Sequence, residues 1–133
     1  MRKILIITAA VLIFTFFPRA REPKLVAEPG LRYVRAGKAS WYSTKSPGIN
    51  KRTANNEIFN DRDLTCAIWG VEFNRKIRVT NLENGKSITV RVNDRGPHSR
   101  FVSKGRVIDL TLEAFSRLGA PKDGLMKVEI EVL

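Results

Sequence analysis

Apolar and polar positions alternate with a period of two over several short stretches of the chain. Ile77 and Val79 alternate with Arg78 and Thr80, Asn84-Gly85 supplies a turn, and Ile88, Val90 and Val92 then alternate with Thr89 and Arg91. This pattern predicts a hairpin with one buried face. Val128, Ile130 and Val132 alternate with Glu129 and Glu131 at the C-terminus. They predict a strand whose apolar face enters the same core, so that truncation there should damage the fold. Between these segments, Val107 to Leu110 reads as a buried strand that runs into a short helix from about Leu112 to Leu118. Thr111 is placed to cap its start and Gly119 to stop its end. Short strands, turn signals and one short helix in about 100 residues predict a small β-barrel, although periodicity gives no strand order.

The N-terminus is different. Arg2 and Lys3 precede a run from Ile4 to Phe17 that is apolar apart from Thr8 and Thr15. As a helix it would span roughly 21 Å, short of the roughly 30 Å hydrocarbon core of a bilayer, so residues 1–20 read as an export signal. Pro18, Arg19 and Ala20 lack a small-x-small cleavage pattern, and an uncleaved anchor that tethers the chain to the membrane through residues 4–17 stays open. Residues 21–34, with Pro23, Pro29 and Gly30 and no sustained period, read as a linker, and residues 35–133 as the domain. The expected location is periplasmic or otherwise extracytoplasmic. The sole cysteine, Cys66, lies far from the apolar run, so the chain is not expected to be a lipoprotein.

Composition bounds the chemistry. The 133 residues suit one domain, and one cysteine with one histidine, His98, can build neither an internal disulfide nor a common zinc site. No metal or organic cofactor is expected. The formal charge is +11, and three cations and no acid lie in residues 1–20, leaving +8 on the rest. Such a balance favours polyanions, which outside the cytoplasm are wall polymers and lipid head groups; a solvated basic surface is the alternative. Nucleic acid is not expected as a partner, because no helix-turn-helix, zinc or stacked-aromatic pattern is visible.

Two carboxylates stand out. Val92-Asn93-Asp94-Arg95-Gly96-Pro97 ends a strand and turns sharply, which sets Asp94 at a strand end where loops carry function. Thr53-Ala54-Asn55-Asn56-Glu57 is turn-like and delivers a second acid. Capping of a turn by Asp94 and a solvated loop position for Glu57 are the structural alternatives. A pair of carboxyl groups at loop–strand junctions is what cleavage of a glycosidic bond needs.

Six ordered blocks carry a resemblance. Gly37-Lys38-Ala39-Ser40-Trp41-Tyr42, Thr53 to Glu57, Leu64-Thr65-Cys66-Ala67, Ile77 to Lys86, Val90 to Pro97 and Arg106-Val107-Ile108-Asp109-Leu110-Thr111 resemble the RlpA (rare lipoprotein A) family in order and approximate spacing. The resemblance spans roughly Gly37 to Leu133. It implies a mainly β fold, a six-stranded double-psi β-barrel of the RlpA, expansin and barwin-like kind with one or two short helices. It also implies an envelope location and a peptidoglycan glycan substrate, cleaved by lytic transglycosylation on strands that can lack stem peptides.

By matching position, Asp94 resembles the family's catalytic aspartate and Glu57 its second acidic residue, while Asp109 is assigned to holding the barrel together. The implied chemistry lets one carboxyl group, Asp94, protonate the glycosidic oxygen and then take the proton of the muramic C6 hydroxyl as that oxygen attacks C1. Glu57 would stabilise the oxocarbenium-like transition state or position the sugar. Tyr42, Trp41, Asn93, Arg91 and Arg95 are candidate glycan contacts, and Trp41 and Trp69 are candidate stacking platforms or core residues. Ile68 stands where the family's functional histidine is expected, and His98 is the nearest candidate to replace it. This departure motivates the alternative reading, a noncatalytic expansin-like module that binds or loosens wall glycan. A weaker third reading is a secreted inhibitor that binds a protein. Because the sequence stops at the last expected strand, no C-terminal septum-targeting (SPOR-type) domain is expected. Cys66 is expected to be a buried, inert thiol.

Overall fold

A computed structural model describes residues 32–133. The expected export segment, and the expected linker up to residue 31, lie outside the described residues. Six strands close a barrel: β1 (Tyr33–Tyr42), β2 (Thr65–Ala67), β3 (Lys76–Asn81), β4 (Ser87–Asp94), β5 (Arg106–Thr111) and β6 (Met126–Val132). Their order around it is β1-β5-β2-β4-β3-β6. β1–β5 and β2–β4 are parallel and the other neighbours antiparallel, giving the double-psi arrangement. Between strands lie α1 (Ser99–Val102), α2 (Leu112–Leu118) and a single 3-10 turn, Pro121–Asp123.

The period-two segments supply the interior. Ile77, Val79, Val90, Val92, Ile108, Leu110, Val128 and Ile130 are each at most 1% exposed. From α2, Ala114, Phe115 and Leu118 add their fully buried side chains against β1, β4 and β5. Thr111 caps α2 as expected, its hydroxyl accepting from the Ala114 N–H at 3.3 Å. Gly119 ends the helix in extended backbone.

The expected hairpin forms with its turn at Asn84-Gly85, and one other expectation needs correction. The β3–β4 connection is wider than a two-residue turn: the Gly85 N–H donates to the Asn81 carbonyl at 2.8 Å, and of Asn84 and Gly85 only the glycine has positive φ. A two-residue type I′ turn would need both. The reason lies in α2, whose final carbonyl at Leu118 accepts from the Asn84 and Asn81 side-chain amides at 2.8 and 3.0 Å. The correction concerns the domain start. Tyr33 and Val34, expected in the linker, belong to β1 and pair with Val132 and Glu131. Val34, Arg35 and Ala36 are exposed, so backbone pairing rather than a buried face holds this end, and no period announces it.

Candidate active site

The site begins with register. Ser40 of β1 pairs with Asp109 of β5, Asp109 with Ala67 of β2, and Ala67 with Asp94 of β4. Paired residues project from the same side of a sheet, so these four form a row across four adjacent strands. The row depends on a bulge: Cys66 pairs with Val92 but Ala67 with Asp94, leaving Asn93 as the extra residue. Bulges re-aim side chains beside functional sites, and here the bulge turns Asp94 into line with Asp109. Ala67, the residue between, has almost no side chain to separate the two acids.

A cleft of about 570 Å³ opens over this row. Its lining includes Tyr42, Arg52, Thr53, Ala54, Asp94, Arg95, His98 and Asp109. The β1–β2 connection forms one wall through a small hairpin, in which Phe59 N–H bonds to the Lys51 carbonyl and Arg52 bridges Ile58. Asn56 has φ of +71°, a left-handed position that asparagine tolerates better than most residues. The wall is pinned to β4 by the Ala54 N–H, which donates to Asp94 Oδ1 at 3.0 Å, and by the Asn55 N–H, which donates to the Asn93 carbonyl at 3.3 Å.

Asp94 is an acceptor on both oxygens. Oδ1 takes the Ala54 and Arg95 backbone N–H groups, and Oδ2 takes the Tyr42 hydroxyl at 3.5 Å. The Tyr42 ring is stacked on Phe59 with centroids 4.6 Å apart. Burial, then the nearby Asp94 charge, pushes the Tyr42 hydroxyl well above its ordinary range, so it remains a proton donor. Asp109 accepts from the buried Ser40 hydroxyl. Burial raises its carboxyl above the ordinary aspartate range; the Ser40 bond and Arg106 oppose this, while Asp94 adds to it.

The other expected residues divide. Arg95 lines the cleft with its guanidinium 3.9 Å over the Phe73 ring and bonded to the Ile68 carbonyl at 3.1 Å. His98 also lines it, and its Nδ1 accepts from the Arg100 N–H at 3.3 Å to cap α1. Glu57, Arg91 and Asn93 sit together beside the cleft and do not line it. Glu57 takes Arg91 in a two-pronged bond at 2.6 and 3.0 Å and the Asn93 amide at 3.0 Å. Those bonds, Arg91's first, hold its carboxyl down at about 2. Its oxygens accept from these partners, and in this arrangement Glu57 braces the wall from beside the cleft. Trp41 is likewise turned away, its indole N–H donating to the Pro121 carbonyl at 2.9 Å and its ring packed on the core. Trp69 is 56% exposed and held through its indole N–H to the Pro97 carbonyl at 2.7 Å. Cys66 is buried, and burial pushes its thiol far up.

Asp109 is the cleft residue that sequence reasoning missed. The signal was a single ionisable residue inside Val107-Ile108-Asp109-Leu110, an otherwise apolar strand. A carboxylate there must face something other than the barrel interior.

Comparison with known proteins gives the family and the fold. The probable endolytic peptidoglycan transglycosylase RlpA of Synechocystis sp. is 39% identical over 115 residues, covering 86% of this chain and 34% of that protein. The endolytic peptidoglycan transglycosylase RlpA of Pseudomonas aeruginosa is 46% identical over 99 residues, 74% of this chain and 27% of that one. Its Vibrio cholerae counterpart is 37% identical over 115 residues, 86% and 41%. The chain therefore spans well under half the length of these relatives. Among solved structures, the Streptomyces papain inhibitor aligns with a TM-score of 0.59 at 19% identity, over 76% of this chain and 94% of that one. An expansin of Clavibacter michiganensis aligns at 0.55 and 20% identity, over 76% and 50%. These two likenesses establish the barrel fold alone. The sequence model of the lytic transglycolase family matches residues 34–130, which hold every strand but the two ends of the barrel seam, and the chain belongs to that double-psi β-barrel family.

Proposed function

We propose that this chain cleaves peptidoglycan glycan strands by lytic transglycosylation outside the cytoplasm, leaving 1,6-anhydromuramic ends. The observation that carries the reading is the row of Asp94 and Asp109 under one open cleft. The relatives' printed activity supports the same reading. The reaction needs a proton for the leaving glycosidic oxygen and an acceptor for the proton of the muramic C6 hydroxyl, and consumes no water. Asp94, which lines the cleft at the end of its strand, is the carboxyl group placed to serve both tasks. Tyr42, Arg95 and His98 are placed to contact the glycan.

Strands lacking stem peptides suit the charge. Removing the peptide frees a lactyl carboxylate on each muramic residue, and the chain carries +11. Residues 1–20 would direct it out of the cytoplasm, as a cleaved signal or as a tether.

A noncatalytic glycan-binding role is the second reading, and Ile68 favours it. The family's histidine position holds a side chain that neither donates nor accepts, buried in the core cluster. Digestion of intact and amidase-treated peptidoglycan by the full chain and by Asp94→Asn, with products read by mass spectrometry, separates the two. Anhydro ends from the wild type alone support cleavage. Co-sedimentation with wall material and no released product from either protein establishes the binding module instead.

A further inference from the structure

We infer that Trp69 is a stacking platform for an N-acetylhexosamine ring of the glycan, a subsite on the rim just outside the cleft. This deepens the proposed function: it rests on the glycan as ligand, and holds whether the chain cleaves the glycan or only binds it. Placement makes the case. Ala67 lines the cleft and Ile68 packs in the core, so the chain turns outward again at Trp69, roughly 7 Å along from the row that holds Asp94. The side chain is 56% exposed, and its indole N–H donates to the Pro97 carbonyl at 2.7 Å. That carbonyl shares a peptide unit with the nitrogen of His98, a residue of the cleft lining, which fixes the indole beside the cleft mouth.

The ring is also held through its own backbone. The carbonyl that joins Ile68 to Trp69 accepts from the Arg95 guanidinium at 3.1 Å, and the Ile68 N–H donates to the Asp94 carbonyl at 3.3 Å. Gly70, at a φ of +77°, bends the chain directly afterwards and leaves Trp69 at the tip. With its one polar atom satisfied inside the protein, the side chain offers solvent an apolar ring and nothing else. Held at both ends, it loses little freedom when a ligand packs on it.

The chemistry of that surface selects the partner. In a β-1,4-linked N-acetylhexosamine the ring substituents are equatorial, so one face of each sugar is a patch of axial C–H groups that lies flat on an indole. Arg95 and His98, in the adjoining cleft lining, supply polar groups for the hydroxyls around the sugar's edge. A strand seated over Asp94 that runs past His98 therefore meets Trp69 next. A lipid surface is the other common setting of an exposed tryptophan, but there the indole N–H faces the wet side, whereas here it is turned into the protein.

The test uses the full chain and amidase-treated peptidoglycan strands. Tryptophan fluorescence, read in the first seconds after mixing, should change in the wild type and not in Trp69→Ala, because Trp41 is packed on the core. Trp69→Ala that keeps the wild-type melting temperature should co-sediment with amidase-treated wall about tenfold more weakly, and in cleavage should raise KM by that factor at unchanged kcat. Trp69→Phe, which keeps a ring and loses the bond to Pro97, should recover part of the affinity. Unchanged affinity in Trp69→Ala overturns the inference. Equal losses in both variants, or a fall in kcat at unchanged KM, would mark Trp69 as a brace for the Pro97 turn and overturn it too. So would a fluorescence change with phosphatidylglycerol vesicles and none with glycan. Wild-type protein that binds through Trp69 but releases no anhydro ends refutes the transglycosylase reading alone, and anhydro ends released with no contribution from Trp69 refute the platform alone. A chain that neither binds nor cleaves refutes both.

Discussion

Glu57→Gln is expected to destabilise the domain by about 1 kcal/mol at neutral pH and to have almost no effect near pH 2. The Glu57 carboxylate takes both prongs of Arg91 and the Asn93 amide, and these bonds lower its pKa from 4.5 to about 2. At about 1.4 kcal/mol per pH unit the whole shift corresponds to about 3 kcal/mol. Both side chains are about one-third exposed, at 36% and 34%, so solvent screens most of it and about 1 kcal/mol remains. Because the folded pKa lies below the unfolded one, this stabilisation is present above about pH 4.5 and is lost as pH falls through about 2. Asp109 has the opposite sign: its raised carboxyl contributes stability at low pH that is lost as pH rises above the ordinary aspartate value. The wild-type curve mixes both, and the difference between wild type and variant isolates Glu57. Urea unfolding, followed by Trp41 and Trp69 fluorescence at several pH values for wild type, Glu57→Gln, Arg91→Met and the double variant, gives the coupling directly. A coupling below about 0.2 kcal/mol at pH 7, or one that does not shrink between pH 4.5 and 2, refutes the reasoning.

Three further outcomes test the packing. Thr111→Val keeps the shape of a fully buried side chain but leaves the Asp63 carbonyl and the Ala114 N–H without their hydroxyl, and should cost about 2 kcal/mol in thermal unfolding. Phe115→Ala removes a fully buried ring and should cost about 3–5 kcal/mol by urea titration; a loss under 2 would show that the neighbours collapse into the space. Gly37→Ala would set a methyl group 2.9 Å from Val107 Cγ2 and 3.0 Å from the Gly105 carbonyl, costing about 1–3 kcal/mol. Adding Val107→Ala should recover part of that loss, and failure to recover any would place the clash on the backbone.

The strands that alternation revealed are those with one face in the barrel and one in solvent. β3, β4 and β6 meet that condition, with burial running exposed-buried along Ile77 to Asn81 and Met126 to Ile130. β1 does not: its first residues are exposed on both faces, so the pairing of Tyr33 with Val132 left no trace in the pattern. The order of strands was illegible because it arises from contacts such as Ser40 with Asp109, 69 residues apart. The candidate site was legible by type and not by direction. Asp94 was recognisable from its strand-ending turn, but whether Trp41 and Glu57 faced the glycan depended on partners far along the chain, Pro121 and Arg91. Asp109 was assigned to holding the barrel together by its matching position, and its otherwise apolar strand puts the carboxyl group where burial can raise its proton affinity.

The alternation that aligns the two acids also decides what residue 68 does. Ala67 points into the cleft row, so Ile68 turns inward and joins the core cluster at 4% exposure. Its backbone still serves the site: the N–H donates to the Asp94 carbonyl at 3.3 Å, and the carbonyl holds the Arg95 guanidinium. In the proposed reaction Asp94 exchanges the protons, and the Ile68 side chain, buried in the core cluster, neither donates nor accepts one. Ile68→His should therefore destabilise the domain by about 1–3 kcal/mol, since it brings a ring with two polar nitrogens into an apolar cluster. It should not speed the release of anhydro ends from amidase-treated glycan. Melting temperature and initial rate, measured on the same preparations, give the answer. A rate gain of tenfold or more at unchanged stability would show that a histidine at 68 reaches the cleft, and that Asp94 alone does not account for the reaction.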